Sequence, residues 1–230
     1  MIKFSRLLKQ AGITLVIAAA LFSIYAFYIT RNAVNMTTRQ KLLKAAYPAL
    51  MWITRLAGKN ATITSNKTVQ PPADFYALKA VCIDGTSFDF EILRGKKVLL
   101  VNTASDCGYT GQYAELEALY RKYQQKLQVI AFPANDFKQQ EQAGNAGIAA
   151  FCKKNYGVSF PVMEKSVVIN TNLQHPVYTW LTTAALNGWN NQPPSWNFSK
   201  YLVDETGRLV NYFGPAVSPL DETVQKAIEQ

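Results

Sequence analysis

The spacing of apolar and polar positions divides the chain into three stretches. From Gln10 to Thr30 run 21 residues without a charge, dominated by Ile, Leu, Val, Ala, Phe and Tyr. As a helix rising about 1.5 Å per residue they span roughly 30 Å, the thickness of a bilayer core. Residues 35–58 place Leu43, Ala46, Tyr47, Leu50, Ile53 and Ala57 on one stripe, with Arg39, Lys41, Lys44 and Arg55 as the polar positions. This predicts an amphipathic helix, kinked at Pro48. Residues 59–72 are rich in Asn, Thr, Ser and Pro and read as a linker. Beyond them, strands are expected over residues 77–83, 98–102, 127–132, 167–169, 201–204 and 209–213, with Asp204-Glu205-Thr206-Gly207 marking a hairpin. Helices are expected over 113–125, 146–155, 177–181 and 221–228. A strand, crossover helix and strand, then an antiparallel hairpin and a last helix, predict an α/β domain with a central mixed sheet flanked by helices.

Charge follows the same division. The formal net charge is +9, yet residues 1–58 hold eight Lys or Arg and no acid, and the remaining sixteen bases face all fifteen acids. The basic balance therefore belongs to the N-terminal arm. This argues against a nucleic-acid-binding domain, which would carry its own basic face. Two readings fit the apolar run. A cleaved signal peptide would use Ala18, Ala19 and Ala20 as a small-residue site, but cleavage there leaves residues 21–29 still apolar at the new terminus. The run is also longer than a usual signal-peptide core, so an uncleaved anchor over residues 1–31 is expected. Lys3, Arg6 and Lys9 before the run favour a cytoplasmic N-terminus, whereas Arg31, Arg39, Lys41 and Lys44 after it pull the other way. The expectation is a single-pass membrane protein with a periplasmic or lumenal domain. The segment 32–73 is expected as a basic stalk and linker, either partly ordered or lying on anionic lipid. Residues 74–230 are the expected catalytic domain.

The candidate chemistry lies in the cysteines. Three cysteines make no disulfide scaffold, and with one histidine a His-based metal site is improbable. His175 precedes Pro176 and reads as a helix cap or surface residue. Neither C-x-x-C nor C-x-x-x-C occurs, so dithiol exchange of the thioredoxin type and copper delivery both lack their motifs. Cys82 sits in a strand-like segment and reads as structural. Cys107 lies between the expected strand at 98–102 and the expected helix at 113–125, near a helix N-terminus. Unpaired backbone N–H groups and the helix dipole would favour a thiolate there, which makes it a candidate nucleophile; a small buried cysteine at a strand end is the alternative.

The residues around Cys107 add a resemblance. Asn102 through Thr110, with Cys107-Gly108 and then Thr110, resembles the active-site segment of the glutathione peroxidase family. Phe132-Pro133-Ala134-Asn135-Asp136-Phe137 with Gln140-Glu141, then Tyr156-Gly157-Val158-Ser159-Phe160-Pro161, then Trp196-Asn197-Phe198 are similar to its further motifs, in order. The resemblance covers roughly residues 74–230 and implies a thioredoxin-like fold. It also implies reduction of hydrogen peroxide and organic or lipid hydroperoxides without a cofactor, through a Cys107 sulfenic acid. By motif position Gln140, Trp196 and Asn197 are the donors around the reactive sulfur, and amide and indole N–H groups suit a thiolate. Cys152 matches the resolving cysteine of thioredoxin-dependent members, so a thioredoxin-like dithiol or glutathione is the expected reductant. The cysteine many members carry in the second motif is Ala134 here. The usual Asn-Gln-Phe-Gly reads Asn135-Asp136-Phe137-Lys138, and Asp136 and Lys138 could alter the pocket's charge. The short 182–195 segment implies a monomeric catalytic domain. The rival readings are a membrane-tethered redox relay to a partner protein and an inactive binding module.

Overall fold

The strand that carries the chain to Cys107 is β4 (Lys97–Thr103), buried along its whole length. Its Val98-Leu99-Leu100-Val101 run faces apolar packing on both sides of the sheet, the signature of a central strand. The computed structural model describes residues 2–58, 60–66 and 68–230. β4 pairs in parallel with β5 (Leu127–Pro133) through the crossover helix α3 (Gln112–Tyr123). On its other side β4 pairs antiparallel with β6 (Lys200–Val203), which pairs with β7 (Leu209–Phe213). The β6–β7 turn is built as its sequence predicts. The Asp204 carboxylate accepts from the N–H groups of Thr206 and Arg208, and Gly207 adopts φ +85°.

The full sheet order is β1-β7-β6-β4-β5, with β1 (Ile63–Ser65) antiparallel to β7 at the edge. Thus the stretch read as a linker supplies a strand, and Gly214 and Ala216 donate to the carbonyls of Thr62 and Asn60 beside it. Lys59 and Lys67 lie outside the described residues. Two further short strands, β2 (Lys79–Val81) and β3 (Ser87–Asp89), form a separate hairpin, so the strand expected at 77–83 does not join the main sheet. Residues 167–169 form no strand: the Val168 N–H is held by the Asp136 carboxylate at 2.7 Å, and the Val167 carbonyl accepts from His175. Helices α4 (Asn145–Tyr156), α5 (Pro176–Leu181), α6 (Ala184–Asn187) and α7 (Glu222–Glu229) complete the domain. His175 caps α5, its Nδ1 accepting from the Val177 N–H at 3.2 Å, as the sequence suggests. The mixed sheet with flanking helices is a thioredoxin-like fold.

Ahead of the domain run α1 (Ile2–Thr30) and α2 (Thr38–Leu56). The Gln10–Thr30 part of α1 is long and apolar enough to cross a membrane, with a mean hydropathy of 2.1, and it is exposed except near its end, where Ala26 and Ile29 are partly buried and Thr30 is buried. The side chains of Lys3, Arg6 and Lys9, on which the expected orientation rests, lie outside the described residues. α2 starts at a capping box: Thr37 Oγ1 accepts from the Gln40 N–H, and Gln40 Oε1 from the Thr37 N–H. It continues as helix past Pro48. It packs onto the domain that follows, with Tyr47 buried and Leu50 and Met51 against the same core as Cys107.

Candidate active site

Cys107 sits in a turn between β4 and α3, five residues before the helix begins, and is 1 % exposed. The turn closes on itself. The Cys107 N–H donates to Thr110 Oγ1 at 3.1 Å, while the Thr110 hydroxyl lies 3.0 Å from the Ala104 carbonyl and 2.5 Å from that of Cys107. The first N–H groups of α3 are spent inside this turn, Gln112 donating to the Tyr109 carbonyl and Tyr113 to that of Thr110. The helix-terminus donors expected for the sulfur are therefore replaced by others. The Tyr109 N–H lies 3.4 Å from Sγ, and the side chains of Asn197 and Trp196 stand near enough to favour its anion. Burial pushes the Cys107 pKa up, the three donors oppose it, and the nearby Asp106 carboxylate adds to the rise.

Gln140 joins through Asn197, whose Nδ2 donates to Gln140 Oε1 at 2.9 Å. Thus Cys107, Trp196, Asn197 and Gln140 converge, with Asn197 as the link. The Gln140 backbone also supports the turn, its carbonyl accepting from the Asp106 N–H at 3.0 Å. Of the two residues that depart from the family's second motif, Lys138 reaches the site, its ammonium 5.7 Å from the Trp196 ring centroid. Asp136 turns away to Val168. Phe137 packs on Trp196 with ring centroids 5.5 Å apart.

Three supporting residues escaped the sequence reading. Glu141, 1 % exposed, accepts from both the N–H and the hydroxyl of Ser105 at 2.8 Å. Burial raises its pKa to about 7 against those two bonds. Asn102, on β4, accepts from the Phe198 N–H and donates through Nδ2 to the Trp196 carbonyl at 3.1 Å. Lys200, fully buried on β6, donates to the Phe198 carbonyl at 2.7 Å and to Gln112 Oε1 at 2.8 Å. Between these two clamps Phe198 holds φ +68°, a conformation costing a non-glycine residue about 1–2 kcal/mol. The strained turn is what presents Trp196 and Asn197 to the sulfur. A buried Glu one residue after the motif Gln, and a Lys two residues after Phe198, are the sequence signals that could have flagged two of them.

α2 covers this loop. The Gln40 amide donates to the Ser105 carbonyl at 3.3 Å, and Arg39 pairs with Asp106. A Cβ on Gly108 would lie 2.8 Å from Leu50 Cδ2, and one on Gly111 would run into the Tyr47 ring. Those glycines are what let the helix lie so close. The same segment grips α4, with Lys44 donating to the Asn155 carbonyl at 3.3 Å and the Asn155 side chain bonding both ways to the Val34 backbone. Cys152, on α4, is 2 % exposed, and burial drives its pKa to about 12 despite the Tyr113 hydroxyl beside it. All three cysteines are free thiols. A groove of about 570 Å³ lined by Lys79, Glu164 and His175 contains none of these site residues.

The comparisons with known proteins agree on a family. Residues 75–182 match the family model for glutathione peroxidase. The chain is 40% identical over 161 residues to the glutathione peroxidase-like peroxiredoxin HYR1 of Saccharomyces cerevisiae, covering 69% of this chain and 98% of that one. The chain belongs to the glutathione peroxidase family. It is 39% identical over 160 residues to the hydroperoxy fatty acid reductase gpx1 of Synechocystis, covering 66% of this chain and 93% of that one. Among solved structures, T. cruzi GPX1 superposes with a TM-score of 0.52 at 31% identity, covering 68% of this chain and 94% of that one. Like its family, this protein is a thiol peroxidase that reduces hydroperoxides. Its relatives align over nearly their whole length with about two thirds of this chain, so α1 and α2 lie outside what the family shares.

Proposed function

We propose that Cys107 is the peroxidatic residue, with Asn197 and Trp196 as its donors and Gln140 positioning Asn197. The observation that carries this is the convergence of the Tyr109 N–H, the Asn197 amide and the Trp196 indole near the Cys107 sulfur. The thiolate attacks the terminal oxygen of a hydroperoxide, the O–O bond breaks, and the alkoxide leaves with a proton as alcohol, giving Cys107 sulfenic acid. Cys152 then attacks that sulfur, water leaves, and a disulfide forms, which an external thioredoxin-like dithiol or glutathione reduces by two electrons. Residues 74–230 act as the catalytic domain, monomeric, and α1 holds it to a membrane as a single-pass anchor with the domain on the periplasmic or lumenal side. A membrane-held peroxidase meets fatty-acyl hydroperoxides at their source, and the Synechocystis relative bears a name of that kind.

The test is peroxide consumption by the full chain in detergent, with thioredoxin and its reductase or with glutathione, for wild type, Cys107→Ser and Cys152→Ser. Turnover with thioredoxin that needs both cysteines is expected. Turnover with glutathione that survives Cys152→Ser would return Cys152 to a packing role. A trapped Cys107 mixed disulfide without turnover would mark a relay.

A further inference from the structure

α2 has two apolar faces: one meets the domain that holds Cys107, and on the other Ala45 is buried while the large side chains stay open. Tyr47, Leu50 and Met51 turn toward the domain that holds Cys107. Leu42, Ala49, Ile53 and Leu56 recur at i, i+7, i+11 and i+14, which places them together on the opposite side, with Trp52 next to them. These large side chains are open: Leu42 is 49 % exposed, Trp52 66 %, Ile53 56 % and Leu56 70 %. The expected stripe of the sequence reading mixes the two, since Tyr47 and Leu50 pack inward while Ile53 and Ala57 point out. Lys41 and Arg55 flank the open face on the side of Trp52, and the helix carries no acid.

We infer that this outer face is a docking surface for an anionic lipid bilayer, so that α2 lies between the membrane and the Cys107 loop. The inference rests on the reading of α1 as a membrane span. Two observations select a bilayer over another occupant. Seven residues, 31–37, separate the end of the apolar run from the start of α2, so even a fully extended connection between the two reaches at most about 25 Å. Its make-up is also that of an interfacial helix: an apolar side, a tryptophan at the border, flanking cations and no negative charge. A helix is about 10 Å across with its side chains, so the peroxidatic loop sits one helix width from the lipid surface. No relative confined to the catalytic domain could hold its thiol in that way.

The experiment uses the full chain reconstituted in vesicles of phosphatidylcholine with phosphatidylglycerol, and compares wild type with Trp52→Phe. The difference between their emissions reports Trp52 alone. Lipids brominated on their acyl chains are expected to quench that difference, while aqueous acrylamide leaves most of it. Leu56→Trp placed in the Trp52→Phe background is expected to regain a signal quenched in the same way. Less quenching in vesicles of phosphatidylcholine alone is expected from the flanking cations, and equal quenching would overturn the anionic preference. Trp52 quenched by acrylamide and untouched by brominated chains would overturn the docking. So would shielding from both quenchers with a dimeric mass, which would assign the face to a second copy. Alkaline carbonate extraction separates the two readings. Protein that stays in the membrane while Trp52 remains in water defeats the docking alone, and protein that washes off defeats the anchor.

Discussion

The Asn197 amide donates to Gln140 Oε1 at 2.9 Å and stands near the Cys107 sulfur, whose anion it favours. Asn197→Ala removes a direct donor, and the second-order rate of reduced enzyme with peroxide is expected to fall about 10²-fold, the scale seen when one such donor is lost. Gln140→Ala should cost less, and the double variant little more than Asn197→Ala, because Gln140 acts through the amide it holds. Stopped-flow oxidation of the three variants decides this; fully additive losses would mean that Gln140 reaches the peroxide by itself. Lys200 offers a separate test. Burial lowers its pKa from 10.5 to about 7, partly offset by the Glu115 carboxylate. Between those values the unfolded chain binds more protons than the folded one. Stability therefore gains from this residue as pH rises from about 7, and the penalty is full below 7. The slope is at most about 1.4 kcal/mol per pH unit. Cys107 and Cys152, whose pKa values are raised, pull the other way above the ordinary thiol range. Urea unfolding at pH 7, 8 and 9 should accordingly show Lys200→Met losing an upward contribution that wild type has. Parallel curves for the two proteins would show that Lys200 keeps its charge throughout.

The contact between α2 and the Cys107 turn depends on Leu50 lying against Gly108 and Tyr47 against Gly111. Leu50 is only partly buried, so Leu50→Ala should cost about 1–2 kcal/mol, less than a full core truncation. That would raise the fraction of molecules with the helix lifted by roughly tenfold, and alkylation of Cys107 by iodoacetamide should quicken by the same factor. An unchanged rate would mean that reagents reach the sulfur past the helix. The contact itself was not legible in the sequence. A helical wheel of residues 38–56 with two apolar sides gives no rule for which one meets protein, and the two glycines announce a close approach without naming what approaches. The catalytic domain was far more legible. β4, β5 and α3 are long and strongly periodic, and the residues named from motif position, Trp196, Asn197 and Gln140, lie close together beside Cys107 in the fold. Short elements failed for a different reason. β1 is three residues, Ile63, Thr64 and Ser65, fully exposed in a polar stretch, and only its pairing with β7 makes it a strand. Residues 167–169 have strand composition, but their backbone groups are taken by Asp136 and His175 before any neighbour strand could pair with them.

Across the whole molecule, the segment 33–56 is fastened at both ends of the proposed redox cycle. Arg39 and Gln40 bind the turn that holds Cys107, while Val34 and Lys44 bind Asn155 at the end of the helix that holds Cys152. Both sulfurs are almost fully covered, 1 % and 2 % exposed, and a disulfide between them must still be reached by an external dithiol. Each cysteine belongs to a different fastened element, so bonding them draws on the packing of α4, where Cys152 sits mid-helix with its sulfur in the core. Oxidation by one equivalent of peroxide should therefore loosen α4 and α2 together while the sheet stays closed. Hydrogen exchange of full-length protein in detergent tests this. Amides of residues 145–156 and 38–56 should exchange faster in the oxidised than in the reduced form, those of β4 and β6 should not change, and the effect should be absent in Cys152→Ser. Faster exchange in α4 alone would show that α2 stays seated and that the reductant enters beside it. No difference in either would mean that the disulfide forms within the closed packing, and the arm would then serve attachment without taking part in the cycle.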